Sequence, residues 1–200
     1  MTAAKQNTKP LNSRTEDVYQ AAAKLMVAKG FGGTSIADIA RAVGMTKAGL
    51  YHHIASKQDM LFQIIQHAMD IMEDIVIQPA MQIEDAEERL RFIVRNHTTT
   101  ILERGQSFTV LFSEIHHLNP EQQEDVGGRI NEYRSLIKES IESLKAEEKL
   151  RDLDTEIATL HLVKVITGIA SWYKEDSSKD HEHLIRETIE FTMAAILRSE

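Results

Sequence analysis

Residues Thr34 to Lys57 read TSIADIARAVGMTKAGLYHHIASK, and the fold turns on this stretch. Ile36, Ile39, Ala40 and Val43 recur at helical spacing on one face, which predicts a short amphipathic helix. Thr34 or Ser35 precedes it as an N-cap, and Asp38, three residues after Ser35, completes a capping-box pattern that satisfies free N–H groups at the helix start. Ala40 is small, so a second helix can cross it closely. Gly44 reaches positive φ at little steric cost, which ends the first helix and turns the chain sharply. Thr46 then caps a second helix expected over Lys47 to Ile54, with Leu50 and Ile54 facing a small core. Two short helices at a fixed angle are a helix-turn-helix.

The second helix turns Ala48, Gly49, Tyr51 and His52 outward, with Lys47 at its leading end. Such a face suits a DNA major groove: Ala48 and Gly49 let the backbone lie close to base edges, and Lys47 carries charge for guanine or phosphate. GLYHHIASK, residues 49 to 57, together with the preceding FGGTSIADIARAVGMTKA, resembles the recognition helix and flanking turns of the tetracycline-repressor (TetR) family of transcriptional regulators. The likeness in motif runs from about Val18 to Leu61. The resemblance implies base contacts from Lys47, Ala48 and Tyr51, with His52 beside them, and phosphate contacts from Thr46, His53 and Lys57. Ile54 stands where the family more often has an aromatic residue, a change that bears on packing.

Composition narrows the alternatives. The chain has 200 residues, 42% hydrophobic and 27% charged, with 9 Gly and 3 Pro, as suits a mostly helical globular protein. Cys is absent, which excludes disulfides and thiolate metal sites. No apolar run approaches the roughly 20 residues needed to cross a bilayer. MTAAKQNTKPLNS at the N-terminus lacks an apolar signal region, so a cytoplasmic protein is expected. The net charge of −8 is unevenly spread. Lys and Arg outnumber Asp and Glu in the first 60 residues, and the reverse holds after them. A basic head on an acidic body attracts a polyanion at one end only.

In chain order, residues 1 to 12 form an expected flexible arm in which Lys5 and Lys9 are basic, and residues 13 to 58 the DNA-binding domain. Ser13 and Glu16 are expected to open the first helix, with Val18, Ala21, Ala22, Leu25 and Met26 buried and Gly30 at its end. Residues 59 to 200 form a ligand-binding and dimerisation domain. It begins with a long helix, opened by Ser56 and Asp59, that carries Met69, Met72 and Ile75 inward and stops near Pro79. Further helices are expected from Asp85 to Arg104, from Gly105 to Ile115, from Pro120 to Leu144, from Asp154 to Tyr173 and from Asp180 to Arg198. The whole is all-α, of about nine helices.

The last two helices are apolar on more than one side. Ile157, Leu160, Val163, Ile166, Ile169 and Ala170 line one, and Leu184, Ile185, Ile189, Phe191, Ala195 and Ile196 the other. Pairing with their symmetry mates in a four-helix bundle would bury the second face, so a homodimer is expected, as the resemblance also implies.

Catalytic chemistry finds no support. Ser-centred elbows and phosphate-binding glycine loops are absent. His116 and His117 with Glu114, and His181 and His183 with Glu182, are the clusters that suggest a metal, but neighbours on a helix point about 100° apart, so no metal and no cofactor is expected. Phe108, Phe112, His116, Tyr133, Trp172 and Tyr173 are aromatic groups on the helices that surround the effector cavity in this family. LFSEIHHLNPE, NEYRSLIKESIE and GIASWYKED resemble the body of members that answer to acyl-coenzyme A. A tunnel lined by Met69, Met72, Phe112 and Ile166 would suit an acyl chain, with Arg95, Arg129 or Arg134 candidates for its phosphates. A multidrug-sensing repressor, with Glu114 meeting a cation, is the alternative, and a helical enzyme or adaptor a remote one.

Overall fold

Helix starts fall on side chains that can satisfy free backbone N–H groups. Ser35, Thr46, Ser56, Asp85, Asn119, Asp154 and Asp180 each accept from the backbone three residues on. The computed structural model describes residues 13–173 and 180–198; the N-terminal arm with Lys5 and Lys9, and the lysine-led loop of the SWYKED segment, lie outside them. Among these residues the protein is all-α, with helices α1 (Ser13–Gly33), α2 (Ile36–Ala42), α3 (Lys47–Leu50), α4 (Lys57–Met72), α5 (Gln78–Ala80), α6 (Ala86–Glu114), α7 (Pro120–Ala146), α8 (Thr155–Trp172) and α9 (His181–Ile196).

α6 is the central element, packing on α1, α4, α7, α8 and α9. The break expected at Gly105 is a kink rather than an end: Arg104 leaves helical geometry (φ −132°, ψ 22°) and the helix resumes. Packing on five neighbours holds α6 together where local propensity favours a stop. In α1, Val18, Tyr19, Ala22, Ala23 and Met26 are buried, while Ala21 and Leu25 are only half-buried, so the buried stripe is rotated from the expected one. Gly30 sits at φ 72°, a conformation costly for any side chain.

The long helix expected after Ser56 is present but changes winding. α4 gives way to a π-helical segment, Glu73–Ile77, before α5. Pro79 has no N–H and its ring crowds the preceding turn, and a wider turn relieves that crowding. The wider turn also shifts the helix phase, so Val76 and Ile77 are buried while Ile75, expected to face inward, is 40% exposed. At the C-terminus an isolated antiparallel bridge joins Leu150 to Leu197. Arg151 N–H donates to the Ile196 carbonyl at 2.9 Å and Arg198 N–H to the Lys149 carbonyl at 2.8 Å.

Candidate nucleic-acid interface and effector region

The helix-turn-helix is built as its sequence dictates. Ser35 and Asp38 form a full capping box, and the hydrogen bonds from Ser35 hold the Asp38 carboxyl below its ordinary range. Gly44 takes φ 65° and the Met45 N–H returns to the Ala40 carbonyl at 2.8 Å. Thr46 Oγ1 accepts from Gly49 N–H at 3.0 Å. α3 is shorter than expected: regular winding ends at Leu50, and the chain reaches Ile54 through turns closed by the His52, His53 and Ile54 N–H groups. Leu50 and Ile54 are buried as expected.

Thr46, Lys47, Ala48 and His52 are exposed, Gly49 is half-buried, and Tyr51 is 54% exposed. Tyr51 is the one large hydrophobic side chain exposed among them. Two of the expected phosphate contacts are otherwise engaged. His53 Nδ1 lies 3.2 Å from Thr15 Oγ1, tying the end of α3 to α1. Lys57 turns inward: its ammonium donates to the Phe31 carbonyl at 2.8 Å and the Thr34 carbonyl at 3.0 Å and lies 4.2 Å from the Phe31 ring centroid. It locks the turn between α1 and α2 to the start of α4. No sequence pattern announces those carbonyls, because they come from a chain segment more than twenty residues away.

The expected effector residues divide into two groups. Met69 and Met72 of α4, Phe108 of α6, Tyr133 of α7 and Ile166 of α8 belong to one buried cluster. Phe112 and His116 are exposed, and Trp172 is 54% exposed beside Val165 and Phe191 on the outer side of α8 and α9. Trp172 thus stands on the face expected to pair between protomers, not in the core; Phe112 is turned to solvent by the phase of α6 beyond its kink. Tyr173 is half-buried and its hydroxyl bonds His181. Of the arginines, Arg129 ion-pairs with Asp70 at 2.9 Å and donates to Gln66 Oε1 at 2.7 Å, joining α7 to α4, whereas Arg95 is exposed and Arg134 half-buried.

His97 lies in the core on the inward side of α6. It is fully enclosed, its Nδ1 2.7 Å from the Tyr133 hydroxyl, and burial lowers its pKa from 6.5 to about 3. Burial also raises the Tyr133 hydroxyl pKa. The pair is therefore neutral. His97 Nε2 and the adjacent Thr98 Oγ1 are buried with no hydrogen-bond partner among the described residues, an arrangement that ordinarily costs free energy unless something else meets those atoms. A histidine on an otherwise apolar face, with Leu90, Ile93, Val94 and Ile101, was the available signal.

Residues 84–196 match the family described as "Tetracyclin repressor-like, C-terminal domain", and residues 18–64 match that described as "Bacterial regulatory proteins, tetR family". The HTH-type transcriptional repressor KstR2 of Rhodococcus jostii (strain RHA1) is 24% identical over 174 residues, which span 86% of this chain and 85% of the relative. Among solved structures, AibR in complex with isovaleryl coenzyme A and operator DNA aligns with a TM-score of 0.80 at 27% identity, covering 89% of this chain and 97% of that one. The ketosteroid transcriptional regulator KstR2 of Mycobacterium tuberculosis aligns with a TM-score of 0.87 at 19% identity, covering 94% and 97%, a likeness of fold.

Proposed function

The chain belongs to the tetracycline-repressor family of bacterial transcriptional regulators, and from that premise we propose that it binds a near-palindromic operator as a homodimer and leaves it when an acyl-coenzyme A binds in the body. The role is regulatory rather than enzymatic, as the similar proteins are named transcriptional repressors. The observation that carries the effector reading is the similarity to AibR along most of both chains, a protein whose complex holds isovaleryl coenzyme A and operator DNA together. The unpartnered His97 Nε2 supports a polar anchor for that effector in the core, where an acyl carbonyl would accept from it.

Two further observations support the assembly and its switch. A single protomer leaves Ile157, Leu160, Val165, Trp172 and Phe191 of α8 and α9 in solvent, large apolar groups that a second copy would cover. α4 starts at Lys57 in the head and carries Met69 and Met72 into the body core, while Arg129 fixes its middle to α7. An effector that pries apart the buried cluster moves the body end of α4 and with it the spacing of the two heads. It lowers operator affinity only so far as it prefers the conformation with the wrong spacing.

The test is footprinting and fluorescence anisotropy on the DNA upstream of the protein's own gene. The expected result is protection of a two-fold site whose half-sites are about 34 to 36 Å apart, bound by an even number of protomers. Protection of a single half-site by one protomer, or none at all, would contradict the reading.

A further inference from the structure

The end of α6 brings three metal-ligating side chains together, Glu114, His116 and His117. α6 stops at Glu114, and Ile115–His117 wind as a tighter 3-10 turn. The two imidazoles nonetheless lean together, with ring centroids 4.1 Å apart. Ligand atoms of Glu114, His116 and His117 all lie within 4.8 Å of one another, and the Glu114 Oε2 to His117 Nε2 separation is 3.5 Å. Tetrahedral zinc with bonds near 2.0 to 2.1 Å places its ligand atoms about 3.3 Å apart. One edge of that figure is therefore nearly formed, and a rotation of the exposed His116 side chain would bring in the other two.

Glu114 supplies the second reason. Its side chain is only 10% exposed, and its one polar partner among the described residues is His117. A buried carboxylate needs positive charge close by, and among the described residues no lysine or arginine forms an ion pair with it. We propose that Glu114, His116 and His117 form a binding site for a divalent first-row transition metal, zinc above all, with three protein ligands and one position open to solvent. Two imidazoles and a carboxylate are borderline donors that favour such an ion over calcium or magnesium.

The site lies where the head meets the body. The His117 ring is 4.8 Å from the Phe31 ring, and its carbonyl accepts from Gln58 Nε2 at 3.0 Å. Gln123 Nε2, from the start of α7, donates to the Leu118 carbonyl at 2.7 Å and anchors the turn from the other side. An ion bound here would pin the end of α6 against α1 and the first turn of α4.

Calorimetric titration of chelator-treated full-length protein with zinc chloride tests the assignment, with cobalt(II) absorption reporting coordination geometry. The expected result is one ion per protomer, intense tetrahedral cobalt bands, and a melting temperature raised by about 5 to 10 °C at a zinc concentration 100-fold above Kd. His116→Ala, an exposed position whose loss leaves the core intact, should weaken binding at least tenfold, and so should Glu114→Gln, while the double variant His181→Ala with His183→Ala should bind as the parent does. Absence of a one-to-one zinc complex would overturn the proposal. So would unchanged affinity in His116→Ala or Glu114→Gln, or a loss of binding confined to the His181/His183 variant, which would place the zinc on α9.

Discussion

The head and the paired C-terminal helices both leave a protomer unfinished, but with opposite chemistry. The head exposes Lys47, Ala48, Tyr51 and His52, side chains with little apolar bulk around one tyrosine ring. The outer side of α8 and α9 exposes Trp172 and Phe191, at 54% and 65%, with Ile157, Leu160 and Val165. Phosphate and base edges reward the first surface through charge, hydrogen bonds and close backbone approach, and the gain is sensitive to salt. Only another apolar surface rewards the second, with a gain that scales with area and is nearly indifferent to salt. On the proposed function the first face meets DNA and the second a copy of the same chain.

The largest expected effect lies on the apolar face. Replacing Phe191 and Trp172 together with Asp should weaken self-association more than 100-fold, since central aromatic anchors contribute about 2 kcal/mol or more each. Light scattering at micromolar concentration should then give a monomeric mass with helicity retained. An undiminished dimer would move the interface elsewhere. Ile189, apolar in the same helix, is 4% exposed and sits in the protomer core, so its substitution reports on folding instead.

On the polar face, Tyr51→Ala should lower operator affinity by about 1 to 3 kcal/mol, roughly 5- to 150-fold, with unchanged thermal stability. Lys47→Ala should reduce the slope of log affinity against log salt by about one. An unaltered affinity for Tyr51→Ala would take α3 out of the groove.

The two faces share a core whose stability should depend on pH in a particular way. The unfolded His97 imidazole binds a proton below about 6.5, whereas the buried one does so only near 3. Between those values the unfolded chain takes up the extra proton, so folding weakens as pH falls through the window, by about 2 kcal/mol at pH 5. Denaturant midpoints measured at fixed protein concentration should show this slope in the parent and not in His97→Gln. Equal slopes would mean that His97 is not held neutral.

The smallest effect separates Lys57 from the rest of the head. With its ammonium on two carbonyls, Lys57→Met should cost about 1 to 2 kcal/mol of stability and leave the salt slope of operator binding unchanged. A slope reduced by one, as in Lys47→Ala, would return Lys57 to phosphate contact.

The sequence made the head's architecture plain because its determinants are local. Ser35 with Asp38, Gly44 and Thr46 each act on backbone within a few residues, and all are seen in the roles their spacing implied. The starts of the body helices near Asp85, Pro120, Asp154 and Asp180 were legible for the same reason. Features set by distant partners were not. The phase shift that exposes Ile75 follows from a wide turn, the passage of α6 through Gly105 depends on the helices packed round it, and Lys57 is claimed by carbonyls of Phe31 and Thr34.

Reciprocal titration is the most direct test of ligand-responsive repression. Isovaleryl coenzyme A and a long-chain acyl-coenzyme A are each titrated into the protein, with and without saturating operator DNA. If the effector releases the operator, a coenzyme A thioester that binds should bind about 5- to 150-fold more weakly when the DNA is present, and the same factor should separate operator affinities measured with and without the thioester. Equal thioester affinity in the two titrations, or no binding of either compound, would contradict an acyl-coenzyme A switch in this regulator.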